Sequence, residues 1–110
     1  RDLQDDLKKA GLPWTKAKGL PGFAAIGNFA PWELPLDLAL WVNGEIRQQG
    51  STRDMLWSPH ELMTYLDSVY GLHEGDLIYT GTPPGVGPVK SGDRVEASLG
   101  SISRLSLMVA

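Results

Sequence analysis

The sequence has no cysteine, so neither a disulfide nor a thiolate metal ligand can form within it. Its two histidines, His60 and His73, are isolated and lack the spacing of a zinc site. No apolar run approaches the roughly 20 residues that cross a bilayer, which excludes a membrane span here and gives no reason to expect a membrane partner. No signal-like apolar segment opens the chain, which begins Arg1-Asp2-Leu3-Gln4-Asp5-Asp6. That does not speak to a targeting segment upstream. Basic residues are outnumbered, 10 Lys plus Arg against 13 Asp plus Glu, for a net charge of -3. Such a balance offers no footprint for nucleic acid. The lack of thiols suits a reducing compartment, and a cytoplasmic location is the expectation.

What is present is globular chemistry. The 110 residues, 42% hydrophobic and 21% charged, fit one domain that alone would bury only about two thirds of its unfolded surface. Glycine (13) and proline (8) are plentiful and clustered, which implies shaped loops rather than disorder. Leu3, Leu7 and Ala10 recur at helical spacing, with acidic residues ahead of Lys8 and Lys9. That order suits the helix dipole, and Gly11 and Pro13 supply the stop. From Gly11 to Pro35, aromatics among repeated Gly and Pro predict irregular backbone with short strands.

Leu38 to Asn43 alternates as a strand, Asn43-Gly44 suits a type I′ turn, and Glu45 to Gln48 returns antiparallel. Ser58-Pro59-His60-Glu61 has the grammar of a capped helix start, running to Gly71, and gives His60 a plain role as a first-turn residue. Strands are expected at Leu77–Thr80, Arg94–Leu99 and Leu105–Val109, with turns at residues 73–76 and 90–93. The fold class is α+β, mixed and mainly antiparallel.

Three features bear on chemistry. No compact set of carboxylates presents a hard-cation site; Asp76 and Asp93, each following a glycine, read as turn residues. An extended backbone through Trp14-Thr15-Lys16-Ala17-Lys18-Gly19 would put Trp14, Lys16 and Lys18 on one face. Lys18 could then reach into a cleft to stabilise a carboxylate or enolate, or simply project into water. The run Gly81-Thr82-Pro83-Pro84-Gly85-Val86-Gly87-Pro88 can be neither helix nor central strand. Its amides and the Thr82 hydroxyl could receive an anion, or it could be a structural crossing. It lacks the Gly-Lys-Ser/Thr ending of a phosphate loop.

Taken in order, Arg1-Asp2-Leu3-Gln4, Gly11-Leu12-Pro13-Trp14 through Ala17-Lys18, Val42-Asn43-Gly44-Glu45-Ile46-Arg47-Gln48, and Gly75-Asp76 through Thr80-Gly81-Thr82-Pro83 resemble the fumarylacetoacetate hydrolase family. The nearer likeness is to its acylpyruvase and oxaloacetate-decarboxylase-like branch. The resemblance implies a β-roll or sandwich of that family's carboxy-terminal type with short helices. It implies Lys18 as the lysine that holds or polarises an oxo acid, Gln4 as a polar residue near substrate and water, and Arg1 at the pocket margin. Gly81, Thr82 and Pro83 would receive the substrate carboxylate.

It further implies Mg2+ or Mn2+, held by two glutamates and an aspartate upstream of Arg1, so residues 1–110 are expected to be one partial catalytic domain, the carboxy-terminal portion of a longer chain. Two stretches depart from the family pattern: Ala24-Ala25-Ile26-Gly27 lacks a usual proline, and Pro31 to Leu38 is short. The implied reaction is metal-dependent cleavage of a carbon–carbon bond in a small 2-oxo carboxylic acid such as an acylpyruvate or fumarylpyruvate, by a homodimer. The alternatives are an oxaloacetate-type decarboxylase or isomerase of the same family, or a non-catalytic scaffold.

Overall fold

A computed structural model describes residues 2–110. Its centre is one antiparallel sheet of four strands in the order β2-β1-β3-β4. The strands are β1 (Asp37–Val42), β2 (Glu45–Ser51), β3 (Arg94–Leu99) and β4 (Ser103–Met108). Three helices accompany it: α1 (Asp2–Lys9), α2 (Thr15–Lys18) and α3 (Pro59–Tyr70). The architecture is α+β with an antiparallel sheet and short helices, as the alternation of the sequence predicts.

Register explains why one face of the sheet is apolar. Leu40 stands opposite Ala97, which faces Leu105, and Val42 stands opposite Val95, which faces Leu107. Side chains alternate across each strand, so these rows share a face with Leu38 and Leu99. Among the described residues only Val42, 6% exposed, is a buried apolar side chain. The chain exposes 8827 Å², where a compact monomer of 12.0 kDa would expose about 6,000 Å². The apolar face is therefore only partly covered.

The Asn43-Gly44 hairpin forms as expected, with φ of 52° and 82°, the two positive values a type I′ turn requires. Asn43 also ties three segments together. Its Nδ2 donates to Asp93 Oδ1 (2.9 Å), its Oδ1 accepts from the Arg94 amide (2.9 Å), and its own amide donates to the Arg94 carbonyl (2.8 Å). Asp93, 7% exposed, accepts from the Lys90 amide with its other oxygen (2.9 Å). The Asn43 and Lys90 hydrogen bonds hold the Asp93 carboxyl below its ordinary pKa. Asp93 is thus the turn residue that the sequence implies.

The α3 start is the reciprocal cap read from the sequence. Ser58 Oγ accepts from the Glu61 amide (3.2 Å), and Glu61 Oε2 accepts from the Ser58 amide (2.7 Å), an arrangement that lowers the Glu61 pKa. His60, in that first turn, packs tilted against Trp32, the ring centroids 5.0 Å apart. At the other end of the chain, Gly11 (φ 66°) closes α1 with Gly11 N–H to the Lys8 carbonyl and Leu12 N–H to the Leu7 carbonyl, a Schellman motif.

Three expectations need correction. Lys16 and Lys18 do not lie on extended backbone: residues 15–18 make one helical turn, closed by Gly19 N–H to the Thr15 carbonyl at 2.8 Å. Helix-tolerant Thr-Lys-Ala-Lys between Pro13 and Gly19 prefers the turn. No strand forms between Gly11 and Pro35. Residues 77–80 form no ladder either: they lie along the cavity wall over the sheet and pair with neither of its edges, β2 and β4.

Candidate active site

A cavity of about 560 Å³ lies over the apolar face of the sheet. Leu38 and Leu40 of β1, Ala97 and Leu99 of β3, and Leu105 of β4 form its floor. Residues 25–29, residues 76–79 and Met63 of α3 supply walls, and Gly81, Thr82 and Pro83 complete one side together with Gln48 of β2. Apolar walls around a few placed polar groups are the usual make-up of a small-molecule site.

The polar corner is well defined. Gln48 Nε2 donates to Thr82 Oγ1 at 2.7 Å and to the Pro83 carbonyl at 2.7 Å. A carbonyl only accepts, so the amide nitrogen must be the end facing the loop, and the Thr82 oxygen must be an acceptor. The hydroxyl proton of Thr82 is consequently free for a third group.

Glycines bring the loop this close to β2. Pro83 packs over Gly50, where a Cβ would stand 3.0 Å from Pro83 Cβ. Gly85, at φ +105°, lies against the Arg47 carbonyl oxygen, in the space a Cβ would need. Arg47 is itself the extra residue of a β-bulge, since pairing passes from Leu40↔Gln48 to Trp41↔Ile46. An unpaired bulge residue has a carbonyl free of the ladder, and the loop docks there.

The other expected site residues lie elsewhere. Lys18 is exposed and borders a shallow hollow with Leu12, Pro13, Trp14, Thr15 and Gly19. Gln4 is half-buried on α1, which packs against α2. The structure brings Gly81, Thr82 and Pro83 together on the cavity over the sheet and gives Lys18 a separate hollow. Arg1 lies outside the described residues.

Gln48 carried no assignment in the sequence, because a polar residue late in a return strand is ordinary. The bulge gives it its place, and the paired signal of Gly50 and Gly85 could have pointed to a close backbone approach.

Among the described residues no three His, Asp or Glu side chains gather to hold a metal ion. Asp76, the carboxylate on the cavity wall, accepts from the His73 amide at 2.7 Å within its own turn. The described residues of this chain do not by themselves fit a divalent-metal centre.

The Fumarylacetoacetate (FAA) hydrolase C-terminal family matches residues 1–110. The chain belongs to this family. It is 44% identical to the mitochondrial oxaloacetate tautomerase FAHD1 of Homo sapiens, over 99% of this chain and 52% of that protein. It therefore spans about half the length of the curated relatives it matches. A crystal structure of a putative fumarylacetoacetate hydrolase family protein from Yersinia pestis CO92 superposes at TM-score 0.89, with 41% identity over 99% of this chain and 52% of that one. Fumarylpyruvate hydrolase from Pseudomonas aeruginosa, solved with Mn2+ and pyruvate, gives TM-score 0.76 and 29% identity over 100% of this chain and 49% of that one. The expectation of a cytoplasmic location is corrected by these findings: the human relative is mitochondrial by name. The absence of cysteine does not select a compartment.

Proposed function

We propose that this chain forms the carboxy-terminal part of an enzyme that interconverts the keto and enol forms of oxaloacetate or a similar small 2-oxo acid. The observation that carries the reading is the Thr82 hydroxyl, fixed by Gln48 as a donor at the edge of an apolar cavity. Identity to a tautomerase across 99% of the chain supports it over the carbon–carbon hydrolase reading.

The chemistry asks little of a site. A base takes the proton from the C–H bond beside the oxo group, the C–H electron pair becomes the new carbon–carbon π bond, the carbonyl π pair moves onto the oxo oxygen, and that oxygen gains a proton, with no water consumed. The protein must hold the carboxylate and lower the cost of negative charge on the enolate, which a fixed donor beside apolar walls serves. In this reading Thr82 and the amides of Gly81 and its neighbours take the carboxylate. Lys18 borders a separate hollow, and its role rests on the family resemblance alone: it would offer an ammonium to the developing oxyanion from the α2 side, with Gln4 beside it and Arg1 at the margin. Hydrolysis of an acylpyruvate would add the need for an activated water.

The Mg2+ or Mn2+ expected from the family is assigned to carboxylates beyond these 110 residues. The homodimer is likewise proposed for the full-length protein.

The test is a panel assay of full-length protein with and without Mg2+ or Mn2+. Oxaloacetate enolisation is followed by its ultraviolet absorbance, with decarboxylation and acylpyruvate cleavage run beside it. Faster ketonisation than cleavage is the expected result, and cleavage without tautomerisation would reverse the assignment. Lys18→Ala should lower turnover at least tenfold while leaving the unfolding midpoint unchanged, because Lys18 is exposed and its ammonium is not part of the fold. Unaltered turnover would remove Lys18 from the mechanism.

A further inference from the structure

Resting on that reading of the cavity, we propose that Gln48 is the positioning residue that makes Thr82 a hydrogen-bond donor to the substrate carboxylate. The argument is an inventory of protons. The Gln48 amide has two N–H donors, and both are spent on the loop, one on Thr82 Oγ1 and one on the Pro83 carbonyl, each at 2.7 Å. The pair pins a planar group against two successive residues, so the amide cannot turn over without placing its oxygen against the Pro83 carbonyl. Thr82 Oγ1 then has one lone pair occupied, and its single proton points away from Gln48.

Thr82 and Gln48 both border the cavity. An anionic oxygen there finds a donor already oriented, with no rotamer to freeze on binding. The bulge at Arg47 and the missing side chains at Gly50 and Gly85, where loop and strand come into close contact, are what let a strand side chain reach the loop at all.

Neighbouring chemistry fails in distinguishable ways. Methionine fills the volume of Gln48 without a donor, leaving the Thr82 hydroxyl free to rotate. Glutamate keeps the shape but accepts, drawing the Thr82 proton back toward β2 and away from the ligand.

The experiment uses full-length protein as wild type, Gln48→Met, Gln48→Glu, Thr82→Val and the Gln48→Met/Thr82→Val double variant. It measures kcat and KM for oxaloacetate, pyruvate affinity by calorimetry and the unfolding midpoint. Gln48→Met should raise KM and the pyruvate Kd about tenfold with kcat changed less than threefold, the size expected for loss of an oriented donor to a charged group. Gln48→Glu should raise both further. The double variant should bind no worse than Thr82→Val alone, because Gln48 acts through that hydroxyl.

A role confined to folding would lower the unfolding midpoint and leave KM intact, and that result overturns the proposal, as do additive costs in the double variant. Should Gln48→Met not fold, Gln48→Glu is read by the same criteria. Normal oxaloacetate turnover that ignores Gln48 defeats this inference while the tautomerase reading stands. Pyruvate binding that depends on Gln48 without any oxaloacetate turnover defeats the tautomerase reading and leaves this inference intact. A wild-type protein that binds neither acid overturns both.

Discussion

The Asn43 corner and the α1–α2 arm use similar parts, a positive-φ residue amid charged side chains, yet they are secured by different kinds of bond. At the corner, Asn43 reaches Asp93 and Arg94 across a sequence separation of 50 or more, and Val109 donates to the Asp93 carbonyl from beyond β4. In the arm, α1 is closed by bonds between residues 7–12, and Leu3 and Trp14 remain 44% and 45% exposed. Long-range bonds close large loops and break only with the domain, whereas local ones can open with their own element at little cost. The residues proposed for the site straddle this difference. Thr82 is held to Gln48 across a separation of 34 and shares the security of the sheet. Lys18 sits on the arm.

The sharpest way to break the comparison is at Gly85. A methyl group there meets the Arg47 carbonyl, and φ +105° is forbidding to any L side chain. Gly85→Ala should undock the loop at a cost of about 3 kcal/mol, the scale of forced backbone strain. In full-length protein, urea denaturation should show that loss, and oxaloacetate turnover should fall more than a hundredfold. An active, equally stable variant would mean that the loop is not anchored on the bulge.

Asn43→Ala comes next. It removes two side-chain hydrogen bonds, stranding the Arg94 amide, and leaves alanine at φ 52°. A loss of about 2–3 kcal/mol is expected by denaturation, from the unmade bonds and the left-handed backbone together. Asn43→Gly, which relieves only the strain, should recover part of it. Equal costs for the two variants would say that the left-handed backbone contributes nothing and that the whole loss lies in the hydrogen bonds.

These two positions also mark how far the sequence could be read. Asn43-Gly44 was legible because one dipeptide fixes two φ angles, and Ser58 to Glu61 because a cap is a local pattern. Strands β3 and β4 announced themselves by alternation. What escaped was whatever depends on distant partners. The bulge at Arg47 has no signature of its own, so Gln48 was passed over even though the loop it holds was singled out. Residues 77–80 have strand composition, but a strand exists only where a neighbour supplies a ladder. Lys18 was assigned by resemblance, and the extended backbone drawn for it yielded to a helical turn that local propensity favours.

A smaller effect separates the corner from the arm by pH. Asp93 has a lowered folded-state pKa because Asn43 and the Lys90 amide donate to it. A depressed carboxyl contributes stability at pH values above its unfolded pKa of about 3.9, and that contribution disappears as pH falls through the lower folded value. Thermal unfolding of wild type should therefore lose more stability between neutral pH and strong acid than Asp93→Asn does. Identical acid limbs would show that the carboxylate bonds are no stronger than those of an amide.

The smallest effect is expected in the arm. Gly11 stands at φ 66° with nothing within 4 Å of a would-be Cβ, so Gly11→Ala meets strain but no collision. The cost should be about 1 kcal/mol, and it should be local. Amide hydrogen exchange of full-length protein is the discriminating measurement, because it resolves where opening occurs. Protection should fall in α1 and at Leu12, whose amide closes the Schellman motif, while β1 and β3 keep wild-type protection. Loss of protection that spreads into β1 would mean that the arm and the sheet open as one unit. Lys18 would then be presented as rigidly as Thr82, and the contrast between the two halves of the site would not hold.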